Sequence, residues 1–171
     1  MKKIVFILLI AFGLNMSAQE KVNWLTFEKA VELTKTNPKP ILIDVYTDWC
    51  GWCKKMDKDT YANAIIAKYI NMHFYAVKFD GEGKKPITFN NFTYKFRQEK
   101  NTKYHELGAA LLNGKLAYPT TIFMNSDMKL LDRIQGYIDT KKMEKVLAFF
   151  GDGIYKKEKW NNFEKKFKSK L

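Results

Sequence analysis

Hydrophobic and polar residues follow two periods along this chain, and these periods predict a series of helices and strands. Apolar residues recur at helical spacing after Thr26, which can cap a helix that Pro38 and Pro40 bring to an end. The short apolar run at 41–46 follows a proline and is typical of a buried strand. By the same criteria we predict helices beginning at Cys50 and capped by Asn63, a helix at about 139–150, and strands at 74–79, 120–124 and 129–135.

Residues 82–103 interrupt this series with a segment that has no helical period. Two alternating runs flank Asn90-Asn91, and asparagine tolerates the positive φ angles of a tight turn. We therefore predict a β-hairpin insertion at about 86–97, followed by a short helix at 104–112. The order of elements indicates an α/β fold with a central mixed β-sheet flanked by helices, in which parallel pairs are joined by a closing antiparallel hairpin.

The C-terminal tail at 155–171 predicts an extra amphipathic helix. Trp160, Phe163 and Phe167 fall on one face of this helix, among lysines. A basic amphipathic helix can associate with a membrane or with a partner. Docking of the aromatic face on the rest of the domain is the favoured interpretation, and membrane association is the alternative.

The N-terminal segment 1–18 has the organisation of a secretory signal peptide. Lys2 and Lys3 precede an apolar stretch at 4–14, and Ser17-Ala18 provides small residues for cleavage. The apolar stretch is short for a transmembrane helix, so an uncleaved membrane tether is the weaker alternative. We expect an exported, periplasmic protein with one domain at 19–171.

Composition and charge narrow the possible functions. Of the 171 residues, 46% are hydrophobic and 28% are charged, which is typical of a globular protein rather than a disordered one. The formal net charge is +12, and the basic residues are lysines except for Arg97 and Arg133. Because the lysines are dispersed and no glycine-rich phosphate loop is present, a lysine-coated surface is favoured over a nucleic-acid-binding one.

Both cysteines of the chain lie in the segment Trp49-Cys50-Gly51-Trp52-Cys53, at a predicted strand-to-helix junction. A helix N-terminus stabilises a thiolate at Cys50 through its unpaired N–H groups and its dipole. Cys53 lies on the same face of the first turn, from which it can attack a mixed disulfide at Cys50. A structural disulfide is the first alternative, but closing so short a loop stabilises a fold by only roughly 2 kcal/mol.

A metal site is the second alternative for the cysteine pair. Neither His73 nor His105 has ligand spacing to the cysteines, and the chain has no second cysteine pair. Both histidines are expected to lie on the surface or to be partly packed. The redox-active interpretation is favoured over both alternatives, and it requires neither a metal nor an organic cofactor.

The stretch at 41–54, which includes the cysteine pair, resembles the active-site segment of the thioredoxin superfamily. It is similar to exported thioredoxin-like proteins and to the periplasmic thioredoxin-like domain of transmembrane disulfide reductases. Tyr118-Pro119-Thr120 resembles the cis-proline loop of this family and precedes the predicted closing hairpin. The resemblance covers about residues 22–150 and implies a thioredoxin fold, with the insertion and the tail outside its minimal form.

The resemblance implies a catalytic role for four residues. Cys50 matches the exposed attacking cysteine of the family, and Cys53 matches the buried resolving cysteine. Asp44 matches a buried aspartate, whose raised pKa would let it relay a proton from Cys53. Lys78 matches the lysine that family members place near that aspartate. The candidate catalytic residues are therefore Cys50, Cys53, Asp44 and Lys78.

The resemblance also implies a substrate-binding surface around the cysteine pair. Pro119 would shape the backbone at Tyr118 so that an extended substrate pairs as an added strand. Trp52 stands where relatives have proline or histidine, and because it offers no positive charge to the thiolate it favours a reductant. The candidate substrate-binding residues are Trp49, Gly51, Trp52, Tyr118, Pro119 and Thr120.

Together these features predict an exported thiol–disulfide oxidoreductase that acts on protein disulfides, more specifically as a reductase. Because periplasm-like compartments are oxidising, such a reductase needs electrons from a membrane-bound donor. A non-catalytic thioredoxin-fold binding module and a disulfide isomerase are the alternatives. Of these, only the binding module would keep its function in a Cys50→Ser variant.

Overall fold

The computed structural model describes residues 20–171, and the predicted signal peptide at 1–18 lies outside the described residues. The strands are β1 (Trp24–Leu25), β2 (Ile41–Tyr46), β3 (Tyr75–Asp80), β4 (Ile87–Phe89), β5 (Phe92–Tyr94), β6 (Phe96–Glu99), β7 (Thr102–His105), β8 (Thr120–Met124) and β9 (Leu130–Gln135). The α-helices are α1 (Phe27–Thr36), α2 (Gly51–Met56), α3 (Ala64–His73), α4 (Glu106–Leu111), α5 (Thr140–Gly151) and α6 (Trp160–Lys166).

The central sheet has five strands in the order β1-β3-β2-β8-β9. β3 runs parallel to both β1 and β2, whereas β8 runs antiparallel to β2 and β9 runs antiparallel to β8. The predicted α/β fold with a mixed sheet and a closing hairpin is therefore confirmed. β1 was not predicted, because a strand of two residues has no detectable period.

β2, the middle strand of this sheet, is buried on both of its faces because helices pack on each side. Its residues Ile41, Ile43 and Val45 pack in a core cluster with residues of α1 and α4, whereas Leu42 packs in a second cluster with residues of α2, α3 and α5. Side chains alternate along a strand, so Asp44 lies on the same face as Leu42. The face of the sheet that carries Asp44 is therefore the face that α2 covers.

The predicted helix starts at Thr26 and Asn63 are confirmed. The Thr26 hydroxyl accepts a hydrogen bond from the N–H of Lys29, and the Asn63 side chain accepts from the N–H groups of Ile65 and Ile66. These bonds satisfy donors that the first turn of a helix leaves unpaired. A π-helical turn (Asp57–Tyr61) lies between α2 and α3. The spacing of apolar residues did not indicate this turn.

The insertion contains two hairpins rather than the one predicted at about 86–97. β4 pairs with β5 around Asn90-Asn91, both with positive φ, and β6 pairs with β7 in a separate hairpin. The predicted helix at 104–112 begins only at Glu106. The Glu106 carboxylate accepts hydrogen bonds from the N–H of Lys95 at 2.7 Å and from Nε of Arg97 at 2.5 Å. These bonds hold β6 against the start of α4.

His105 is buried, with 1% of its surface exposed, so the expectation that it is a surface or partly packed residue is wrong. Its Nδ1 accepts a hydrogen bond from the N–H of Leu107 at 3.2 Å and thereby caps α4. With Nδ1 as the acceptor, Nε2 carries the proton and donates to the carbonyl of Lys85 at 3.1 Å. The neutral ring therefore joins the beginning of the insertion to its end.

The C-terminal tail docks on the domain, as predicted. Phe163 of α6 is buried in the same core cluster as α5, and Trp160 and Phe167 pack against that cluster. The rings of Phe149 and Phe163 lie 5.3 Å apart between centroids. Within the part of the chain that the structure describes, no helix has the length and apolar character needed to cross a bilayer.

We predict that His105→Ala lowers the free energy of unfolding by about 1–3 kcal/mol, because it removes a buried helix cap and leaves the Lys85 carbonyl without its donor. Urea denaturation of the purified protein measures this change. Hydrogen exchange should also become faster at residues 85–107, where the lost contacts lie.

His73→Ala is the matched control, because His73 is half-buried at the end of α3. It should change the unfolding free energy by less than the His105 variant and leave exchange in the insertion unaltered. Equal destabilisation by the two substitutions would contradict the assigned role of His105.

Candidate active site

The cysteine pair lies where β2 leads into α2. The N–H of Cys50 donates to the carbonyl of Thr47 at 3.1 Å, and this turn brings Cys50 to the N-cap position of α2. Cys50 and Cys53 form a disulfide, with Cα atoms 5.3 Å apart. The N–H of Cys53 donates to Sγ of Cys50 at 3.1 Å. In the reduced pair the same donor would stabilise negative charge on Cys50.

Both cysteines are largely enclosed in this disulfide form. Cys50 is 4% exposed and Cys53 is 1% exposed, so the expected exposure of Cys50 is wrong for this state, although Cys50 is the more accessible of the two. Gly51 between them has open space where a Cβ would project. A partner can therefore approach the pair from the side of Gly51 and Cys50.

Two exposed tryptophans flank the disulfide. Trp49 is 66% exposed, and its Nε1 donates to Oε1 of Glu82 at 2.9 Å. Trp52 is 60% exposed and its ring lies 5.6 Å from the ring of Tyr137. Large aromatic surface that is left open beside a reactive bond is typical of a contact region for a partner.

Tyr118 packs against one of these tryptophans, Trp49. Its ring meets that of Trp49 edge to face at 5.8 Å between centroids. The ring lies against Gly81, where a Cβ would come within 2.6 Å of it, so only glycine leaves room for Tyr118. Burial, followed by the negative charges of Glu82 and Asp80, raises the pKa of Tyr118 to about 12.

The peptide bond between Tyr118 and Pro119 is cis. The Pro119 carbonyl accepts from the N–H of Gly136 at 2.8 Å, and the Thr120 hydroxyl donates to the carbonyl of Ala117 at 2.8 Å. Thr120 pairs with Val45 of β2 in the sheet. The Tyr118–Thr120 segment therefore lies at the same edge of the sheet as the chain that leads from β2 to Cys50.

Asp44 is completely buried and forms an ion pair with Lys78. Nζ of Lys78 lies 2.6 Å from Oδ2 of Asp44, whereas Oδ1 of Asp44 is buried without a hydrogen-bond partner. Burial raises the pKa of Asp44 to about 6, against the opposing effect of Lys78. Near neutral pH this carboxyl can therefore both hold and release a proton.

Lys78 is held in place by aromatic rings and by a second carboxylate, that of Asp57. Burial alone would lower the pKa of Lys78, but Asp44 and Asp57 together raise it above its usual value. The ammonium also lies 5.0–5.6 Å from three ring centroids, which belong to Trp24, Tyr46 and Tyr61. Such contacts stabilise a cation that has lost most of its water.

Asp57 was not identified from the sequence. It stands among alternating charges in the segment that follows Cys53, where an acidic residue is indistinguishable from a solvated one. The structure joins Asp57 to the site through Lys78, which is 21 positions further along the chain.

Within residues 20–171, no group of three or more potential metal ligands lies close enough together to hold an ion.

Relatives of this chain include proteins named for disulfide chemistry. Disulfide bond reductase DsbH of Chlamydia pneumoniae is 27% identical over 118 residues, which are 68% of this chain and 64% of the relative. Thiol:disulfide interchange protein DsbD of Pectobacterium atrosepticum is 22% identical over 78% of this chain and 21% of the relative. An uncharacterized Caenorhabditis elegans protein, B0495.5, is 32% identical over 41% of this chain and 10% of its own. The chain thus spans less than two thirds of each relative.

Solved structures support the thioredoxin fold. A thioredoxin-fold protein from Helicobacter pylori superimposes with a TM-score of 0.56 and 22% identity, over 76% of this chain and 80% of the other. A thioredoxin from Thermus thermophilus superimposes with a TM-score of 0.55 and 12% identity, over 75% of this chain and 85% of the other.

The named relatives and the Cys50–Cys53 disulfide together support a thiol–disulfide redox role. A family model described as Thioredox_DsbH, protein of unknown function DUF255, matches residues 12–170. The chain therefore belongs to this family of the thioredoxin superfamily.

Proposed function

We propose that the protein is an exported thiol–disulfide oxidoreductase that acts as a reductase of protein disulfides. The observation that carries the proposal is the Cys50–Cys53 disulfide across the first turn of α2, with exposed tryptophans on both sides. A bond that closes so short a loop contributes little to folding, and here it lies beside the surface that a partner can reach. Both features suit a bond that opens and closes in each catalytic cycle.

The proposed reaction begins with the reduced pair. The Cys50 thiolate attacks one sulfur of a substrate disulfide, which forms a mixed disulfide and releases the other substrate sulfur as a thiolate. Cys53 then loses its proton and attacks Sγ of Cys50, which releases the second substrate sulfur. Two electrons pass to the substrate, and the enzyme is left with the Cys50–Cys53 disulfide, the state that the structure has.

Asp44 is the proposed acceptor for the proton of Cys53. It lies on the face of the sheet that α2 covers, and its pKa of about 6 is close to the pH at which a general base works well. Lys78 is the proposed positioning residue for this carboxylate, because it contacts Oδ2 and leaves Oδ1 free. In this scheme the ion pair between Asp57 and Lys78 helps to hold the Lys78 ammonium in place.

The surface formed by Trp49, Trp52 and the Tyr118–Thr120 segment is the proposed substrate site. Trp49, Trp52 and Tyr118 would contact side chains of the substrate, and the open space at Gly51 would admit its disulfide. Pro119 has no N–H and so cannot donate a backbone hydrogen bond to a substrate. An extended substrate could pair with the backbone at Tyr118 as an added strand.

The reductase direction and the location are parts of the same proposal. Trp52 places no positive charge beside Cys50, so the thiolate is not stabilised as strongly as in an oxidant. The relatives include one named a disulfide bond reductase. The segment 1–18 would direct export to the periplasm, where reduction of the pair requires electrons from a membrane-bound donor.

We predict that Cys53→Ser traps substrates as stable mixed disulfides on Cys50, because the resolving thiol is missing. Cys50→Ser should trap none and should lose reductase activity. Non-reducing gel electrophoresis after mixing with a disulfide-bonded protein measures both results. If Cys50→Ser kept the activity of the natural protein, the binding module would replace the enzyme as the proposed function.

We predict a reduction potential of about −250 mV or lower for the Cys50–Cys53 pair. Equilibration in dithiothreitol buffers, followed by tryptophan fluorescence, measures it, because Trp49 and Trp52 flank the bond. A value near about −150 mV would contradict the reductase direction and favour an oxidant or an isomerase.

We predict that Asp44→Asn slows resolution of the mixed disulfide at pH 7 by on the order of 10- to 100-fold, because the proton acceptor is lost. In the natural protein the resolution rate should rise with pH through about 6, as Asp44 ionises, and this inflection should be absent from the variant. Stopped-flow fluorescence from pH 4 to 9 measures the profile.

Asp44→Asn should slow the reaction but make the folded protein more stable at pH 7. The raised pKa of Asp44 means that the folded state binds this proton more tightly than the unfolded chain, so ionisation between pH 4 and 6 lowers stability. Asp44→Asn should therefore raise the unfolding free energy by about 1–3 kcal/mol at pH 7 and leave it unchanged below about pH 4. Asp48→Asn, at an exposed carboxylate, is the control. An unaltered rate profile in Asp44→Asn would refute the relay.

A further inference from the structure

A partly enclosed cavity of about 420 Å³ lies between α3, α5 and the docked tail. This volume is within the range of about 300–1,000 Å³ that small-molecule sites have. Its walls are mainly apolar, from Ile65, Ile66, Leu147, Ala148, Phe163 and Phe167. None of these residues belongs to the redox site.

The two carboxylates that line the cavity already have hydrogen-bond donors. Glu144 is 8% exposed and accepts from the Ser169 hydroxyl at 2.6 Å and from the N–H of Lys170 at 2.5 Å. Asp152 accepts from the hydroxyl of Tyr69 at 2.5 Å. Both carboxylates therefore already have donors from the protein, which offset part of their negative charge.

The lysines at the cavity differ from these carboxylates. Lys166 forms an ion pair with Glu158 at 2.8 Å. Lys168 and Lys170 are exposed residues at the rim, and neither takes part in an ion pair among residues 20–171. The opening of an apolar cavity therefore carries two positive charges without partners.

We propose that this cavity binds a free single-chain anionic amphiphile, a molecule with one alkyl chain and one carboxylate. The chain would replace water along the apolar walls, and the carboxylate would lie between the ammonium groups of Lys168 and Lys170. A cationic amphiphile of the same length would meet like charges. A peptide would place several backbone polar groups against walls that are mainly apolar.

Dodecanoate is the probe that tests this proposal, titrated into the oxidised full-length mature protein below the concentration at which it forms micelles. Isothermal titration calorimetry should show saturable binding of one molecule, and the melting temperature should rise with ligand concentration. Dodecyltrimethylammonium, which has the same chain and the opposite charge, should bind at least about tenfold more weakly. Equal binding of the two probes would overturn the assigned role of the lysines.

Three variants locate the site. Lys168→Gln with Lys170→Gln should weaken dodecanoate binding on the order of threefold to tenfold, whereas Lys35→Gln with Lys129→Gln, which removes the same charge elsewhere, should not. Ile65→Glu places a carboxylate at the opening, in the first turn of α3 where an acidic residue is tolerated, and should reduce binding further. Unaltered affinity in both the double lysine variant and Ile65→Glu would refute the site.

Vesicles distinguish a free ligand from a membrane surface. Cosedimentation with vesicles of phosphatidylcholine and phosphatidylglycerol should leave the protein in the supernatant, because Phe163 and Phe167 stay packed in the domain. Cosedimentation that Lys168→Gln with Lys170→Gln abolishes would overturn the proposal in favour of a membrane-binding tail. Both experiments use the oxidised protein, so their outcome is independent of the proposed reductase activity.

Discussion

Pairing of β2 with β3 on one side and with β8 on the other determines where the functional groups meet. β2 and β3 are parallel, so the chains that leave them, toward Cys50 and toward Glu82, emerge at the same edge of the sheet. β8 is antiparallel to β2, so its beginning, with Tyr118 and Pro119, reaches that edge as well. Cys50, the ring of Tyr118 and the backbone proposed for substrate pairing are thus brought to the same edge by one arrangement of three strands.

The same arrangement places a carboxylate in the core. Asp44 faces Lys78 across the β2–β3 pair, in the register that aligns the two residues. Isolated burial of a charge would be very unfavourable, and the ammonium of Lys78 offsets part of that cost while Oδ1 stays without a donor. The result is a carboxyl whose pKa lies near 6, which links the stability of the fold to the proton transfer proposed for the site.

The insertion is connected to the site through short contacts. His105 joins the carbonyl of Lys85 to the start of α4, and the N–H of His105 donates to the Gly81 carbonyl at 2.7 Å. Gly81 supports Tyr118, and its neighbour Glu82 holds Trp49. Changes in the hairpins can therefore alter the aromatic surface beside the disulfide. The tail and its cavity lie against α3 and α5 instead, so the two accessory regions can serve separate purposes.

Local signals in the sequence were sufficient for much of this protein. Helix caps, the buried strand at 41–46 and the cysteine pair at a strand-to-helix junction all depend on neighbouring residues, so they could be predicted along the chain. The second hairpin, the burial of His105 and the contact of Lys78 with Asp57 could not. The second hairpin pairs near neighbours, from Glu99 with Thr102 to Phe96 with His105, but Glu106 of α4 holds its first strand in place. The burial of His105 and the contact of Lys78 with Asp57 depend on groups about 20 positions apart, and only the folded chain brings such groups close enough to exclude water and determine their chemistry.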